Sequence, residues 1–126
     1  MSTHLSTDSI APLRHFVTQM THLIGQSLEE SFVRPKAKVL LKELIASDDW
    51  LPEFCTVPHP QFYQQYLLYA DPLERFSVVS FVWGPGQATP IHDHMVWGLI
   101  GMLRGSETGQ RYERDADGSL KPVGHE

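Results

Sequence analysis

The stretch Gly86–Gly105, GQATPIHDHMVWGLIGMLRG, decides how this chain is read. His92 and His94 are separated by one residue. Alternate side chains of a strand leave from the same face, so both imidazoles are expected to project together into a barrel interior. Neutral imidazole is a good ligand for iron, zinc, copper and nickel. Asp93 lies between them, points the other way on a strand, and is not counted as a ligand of the same metal. Pro90 restricts Thr89 to an extended conformation and helps to fix the approach to His92. Two strand histidines with ordinary hydrogen bonds would give the same three letters, so the surroundings carry the argument.

Upstream, Arg75 to Trp83 alternates: Phe76, Val78, Ser80 and Val82 share one face, Ser77, Val79, Phe81 and Trp83 the other. Its β-branched and aromatic content agrees with a strand. Tyr66–Tyr69 reads as the preceding strand, with Asp71-Pro72 as the turn between them. Downstream, Met95–Leu103 is a third apolar stretch, interrupted by Gly98 and Gly101, and Gln110–Arg114 a further strand. Asp117-Gly118 reads as a tight hairpin turn into Leu120, and Lys121 to Glu126 show no closing signal.

The N-terminal third has a different period. Ile10, Leu13, Phe16, Val17, Met20, Leu23 and Ile24 recur at helical steps over residues 9–26, with Asp8 or Ser9 to cap the start and Gly25 near the end. A second helix is expected from Pro35 to Ala46, with Pro35 in its first turn and Val39, Leu40, Leu41, Leu44 and Ile45 on its apolar face. The expected fold is therefore mainly β, a barrel or jelly roll with an N-terminal helical segment, in a single domain over 1–126. The helical part covers about 9–47 and the β part about 62–126. A closed barrel of this kind needs about eight strands. Four or five are legible, so either the barrel is incomplete here or another chain finishes it.

The chain has 126 residues, enough for one domain and not for two. A hydrophobic share of 41% permits a real core. A formal charge of −5 with no basic stripe argues against a nucleic-acid surface. Arg34, Lys36 and Lys38 read as one solvated helix face. No stretch reaches the ~18 apolar residues of a membrane span. The single cysteine, Cys55, excludes an internal disulfide and reads as a small buried apolar residue. Together with the lack of a signal-like start, it points to the cytoplasm. Monomer and homo-oligomer are both open.

Gly86, His92, His94, Gly98 and Gly105 stand at the spacing of the first cupin metal-binding motif, which the segment resembles. Many cupins place a ligating glutamate where this chain has Gly98. With that glutamate replaced by glycine, and with Phe76–Gly86 (FSVVSFVWGPG) and the tryptophans Trp83 and Trp97 alongside, the chain resembles bacterial members of the cysteine dioxygenase family, including the 3-mercaptopropionate dioxygenases. The resemblance implies a cupin jelly roll, ferrous iron as cofactor, and oxidation of a small thiol-carboxylate to its sulfinic acid by O2. It implies that His92 and His94 are the first two of three histidine ligands. Gly98 then excludes a cysteine–tyrosine cross-link. Gln65, or Gln64 if the match slips by one, falls where cysteine-specific members carry a carboxylate-binding arginine. The third histidine is expected beyond Glu126; His125 matches no family position. His4, His15, His22 and His59 read as surface or locally hydrogen-bonded. Trp83, Trp97 and Phe81 line either a pocket or plain core. The other reading is a non-catalytic cupin-like module that binds a metal or small ligand, or an inactive fragment of the enzyme.

Overall fold

The computed structural model describes residues 9–92 and 94–125, and for His125 the backbone only. Its elements in chain order are α1 (Ala11–Gln26), α2 (Glu30–Leu44), a 3-10 turn (Glu53–Thr56), β1 (Gln64–Ala70), β2 (Ser77–Val82), β3 (Gln110–Arg114) and β4 (Leu120–His125). The strands form two separate antiparallel pairs, β1-β2 and β3-β4.

This corrects the mainly β expectation. The helices take 16 and 15 residues, the strands 7, 6, 5 and 6, so the described fold is mixed. No closed barrel is formed among the described residues. The core lies instead among the helices. Phe16, Met20, Leu23 and Ile24 of α1 meet Val33, Ala37 and Leu44 of α2. Trp50 completes the cluster, and Leu68, Phe76 and Val78 of the first hairpin region pack on it.

α2 begins more than a turn before the expected start at Pro35, which sits inside the helix. A proline there removes one intrahelical donor and crowds the preceding turn. Burial of Val33, 2% exposed, and packing of Phe32 against the core offset that loss. Val39, assigned above to the apolar face, is 57% exposed. Arg34, Lys36 and Lys38 are exposed, as expected of a solvated face. The C-terminal end of α2 has an indole cap: Trp50 Nε1 donates to Leu44 O at 2.9 Å and to Ser47 O at 2.8 Å. The Leu44 carbonyl, at the last position of the helix, would otherwise lack an intrahelical partner.

β1 and β2 pair from Gln64↔Val82 to Ala70↔Ser77, with a bulge at Leu68. Residues opposite each other share a face. Gln65, Leu67, Val79 and Phe81 are therefore on one side, and all four are exposed. The bulge sets Leu68 and Tyr69 together against Val78 and lets Leu68 turn onto the core.

The β1-β2 connection is locked by Asp71, whose side chain is 1% exposed. Arg75 donates to it from Nε at 2.7 Å, from Nη2 at 3.0 Å and from its backbone N–H at 3.0 Å. The Arg75 side-chain hydrogen bonds hold the Asp71 carboxyl below its ordinary value. A lowered folded-state pKa stabilises above the unfolded value and is lost as pH falls through the folded one. The stability difference between the native chain and Asp71→Asn should thus be full at pH 7 and shrink below about pH 4. Urea midpoints at pH 7, 4 and 3 check this; a pH-independent difference would contradict it. The Arg104–Asp48 pair also lowers a carboxyl, but both side chains are largely exposed and screened.

The second hairpin forms at the expected place by a different turn. Gly118 N–H donates to Asp115 O at 2.9 Å, and Gly118 has φ 87°. Ala116 and Asp117 occupy the turn centre and glycine the left-handed bulge position, the three-residue form of hairpin. The polar residues after it, read above as carrying no closing signal, form β4.

Candidate metal centre

The segment that carries the histidines starts at a turn that needs its particular residues. Gln87 N–H donates to Gly84 O at 3.1 Å, across Pro85 and Gly86, and Gly86 has φ 77°. Proline first and left-handed glycine second make a type II turn. Gly86 of the motif is therefore a backbone requirement. The Gln87 side chain folds back: its Oε1 accepts from Gly84 N–H at 2.6 Å, and its Nε2 donates to His59 O at 2.7 Å.

Beyond the turn, residues 87–92 and 94 have no regular secondary structure, which corrects the placement of His92 and His94 on a strand. Both residues are exposed. The expectation of rings turned into a barrel interior is not met, because with no closed barrel the segment has no inward side. Asp93 lies outside the described residues. The imidazoles nevertheless converge: His92 Nε2 and His94 Nε2 are 3.1 Å apart, with ring centroids at 4.9 Å. His92 Nδ1 lies 2.7 Å from Pro90 O. A carbonyl only accepts, so Nδ1 carries the hydrogen, and in the neutral ring Nε2 keeps its lone pair. Metal-binding histidines are commonly oriented in this way, with the second ring nitrogen donating to a carbonyl.

The spacing fits a shared cation. Two nitrogens at about 2.1 Å from one metal are about 3.0 Å apart at a right angle and about 3.4 Å apart at the tetrahedral angle. The observed 3.1 Å falls between them. Among the described residues no group of three or more histidine, cysteine, aspartate or glutamate side chains is placed to hold a metal. The side chain of His125 lies outside the described residues, as does His4. His15 and His22 are exposed, and His59 accepts a local hydrogen bond from Gln61 N–H at 3.0 Å.

The pairing separates the two glutamines left open by sequence. Gln64 is on the Val82 side of the hairpin and accepts from Tyr66 Oη at 3.3 Å. Gln65 stands opposite Phe81 on the open face. Tyr63 stacks on Trp83 at 4.6 Å, with Phe81 6.1 Å from Trp83. Trp97 is 39% exposed, so neither it nor Phe81 is plain core. Among the described residues no hydrogen bond joins Gln65 to either imidazole.

Met95–Leu103 is not a strand. Met95 and Val96 are 89% and 80% exposed. Leu99 and Leu103 pack on the helical core. At Gly101 a Cβ would come within 3.0 Å of Ile45 Cδ1, so glycine lets the backbone approach the end of α2. At Gly98, by contrast, a Cβ would meet nothing within 4 Å. Sequence reading missed Gln87, although its place beside a Pro-Gly turn was a usable signal. Cys55 is buried, as expected, and burial raises its thiol pKa. No protein-family model matches the chain.

Proposed function

We propose that this chain is a thiol dioxygenase of the cysteine dioxygenase family, with a cupin-type fold. In this reading His92 and His94 hold ferrous iron, and the substrate is cysteine or 3-mercaptopropionate. The observation that carries it is the 3.1 Å approach of two Nε2 atoms, one on a ring anchored through Nδ1. Ferrous iron, when bound, favours the thiolate form of the substrate and supplies the redox chemistry that adds both atoms of O2 to sulfur. His92 and His94 would hold the iron through their Nε2 atoms. Gln65 offers an amide N–H to the substrate carboxylate. It brings no positive charge and holds that group less firmly than a guanidinium would. Phe81 and the stacked Tyr63–Trp83 pair give the substrate's carbon chain an apolar surface beside it. A third ligand comes from outside the described side chains.

With added Fe2+ and 3-mercaptopropionate or cysteine, oxygen uptake and sulfinate are expected in equal amounts, and both should vanish in His92→Ala. An oxygen electrode with mass detection of products checks this. Disulfide in place of sulfinate, or sulfinate formation indifferent to His92→Ala, would remove the proposal.

A second reading is favoured by the exposure of both histidines and by the lack of a third ligand among the described residues. It is a non-catalytic module that binds a metal or small ligand. It predicts ligand binding that survives His92→Ala, with no sulfinate formed.

A further inference from the structure

We infer that Gln87 is a positioning residue that ties the histidine segment to the strand carrying Gln65. As a statement about a metal and substrate site, this rests on the reading above. Four observations bear on it. The Gln87 amide uses both ends, donating to His59 O and accepting from Gly84 N–H, and it is only partly exposed. The His59 bond spans 28 residues, whereas the turn's other hydrogen bonds are local. Gly84 is buried, and a Cβ there would come within 3.0 Å of Gln87 Nε2, so the turn is shaped around this side chain. The tethered loop has ring contacts of its own: His59 stacks on Phe62 at 3.7 Å, and Tyr63 on Trp83 at 4.6 Å.

The geometry gives Gln87 a specific task. His92 and His94 lie on an irregular segment, so no strand partner fixes where they stand. One end of that segment is fixed by the type II turn and by the Gln87 bridge. Pro90 stiffens the interval to His92 and accepts its Nδ1–H. The same bridge reaches the loop that leads into β1. Gln87 therefore sets the separation between the imidazole pair and the Gln65 face, without touching a metal or a substrate.

The test uses the 126-residue chain without metal and reads the rings directly. NMR of 15N-labelled histidine reports the His92 Nδ1–H and the through-space ring-to-ring signal of His92 and His94. Gln87→Met removes both amide bonds. Gln87→Glu keeps an acceptor for Gly84 N–H but cannot donate to His59 O. Both variants are expected to lose the ring-to-ring signal, while the Trp50 indole signal stays in place and the thermal midpoint moves by less than about 5 °C. A signal kept in both variants overturns the inference. A signal lost in Gln87→Met but kept in Gln87→Glu also overturns it, because the His59 tether would then be dispensable.

A cobalt(II) titration separates this from the functional reading. Affinity should fall in both variants, but by no more than about the tenfold that marks the low end for loss of a direct hydrogen-bonding partner of a ligand. If the ring signal responds as expected but the unmodified chain shows no cobalt spectrum dependent on His92 and His94, the positioning role stands and the metal reading falls.

Discussion

Alanine at His92 is expected to lower the chain's affinity for a divalent transition metal by more than about a hundredfold. Loss of an outer hydrogen-bonding partner of a metal ligand already costs about 10–100-fold, and here a ligand itself would go. His92 is the better anchored of the pair, since the carbonyl of Pro90 holds its ring through Nδ1 and keeps the Nε2 lone pair on the side that faces His94. His94→Ala should lose as much, because one imidazole on an exposed segment is a monodentate ligand that water replaces. The double variant should lose little more than either single one, as expected for residues that act as a unit. His15→Ala and His22→Ala, both at exposed positions on α1, are the controls and should change nothing. Anaerobic titration with Fe2+, or cobalt absorption in air, measures the effect. Affinity in His92→Ala within threefold of the unmodified chain would remove the metal role of the pair.

The largest effect on stability is expected at Trp50. Trp50→Ala should destabilise by about 3–5 kcal/mol, the usual range for an aromatic side chain removed from a core. Domains of this size are stable by about 5–15 kcal/mol in total, so the variant should lose a large share of its stability. Two contributions combine at this site. The indole is 3% exposed and fills the helical cluster, and its N–H bridges two carbonyls at the end of α2. Trp50→Phe separates them, since it keeps most of the apolar volume and loses the donor. Leaving the buried Leu44 carbonyl unpaired costs about 1–3 kcal/mol, so phenylalanine should recover part of the loss and not all of it. Denaturant midpoints for the three proteins test the ordering. If phenylalanine were as stable as tryptophan, the indole cap would contribute nothing.

Much of the fold was legible because its signals are local. The three- and four-residue spacing from Leu13 to Ile24 is met by α1. The alternation after Arg75 is met by β2, and Gln110–Arg114 is a strand at the expected bounds. Asp71-Pro72 and Asp117-Gly118 both mark connections between strands. These readings depend on backbone sterics and on side-chain period over a few residues. The start of α2 was misplaced because a proline reads as a first-turn residue, and only the burial of Val33 and Phe32 shows why the helix runs on through it.

The histidine pair divides along the same line. The sequence by itself determined which residue types stand one apart, and that Gly98 offers no side-chain ligand. The resemblance left Gln64 and Gln65 as alternatives that sequence alone did not separate. Only the tertiary structure decided that the pair lies outside any strand, that its rings still meet, and that Gln65 alone of the two glutamines shares the open face with Phe81. It also sent Leu99 and Leu103 onto the helical core and left Met95 and Val96 in solvent. The physical reason is that a side chain's own preferences are set within a few residues of it, whereas its exposure and direction are set by whatever distant segment packs or pairs with it.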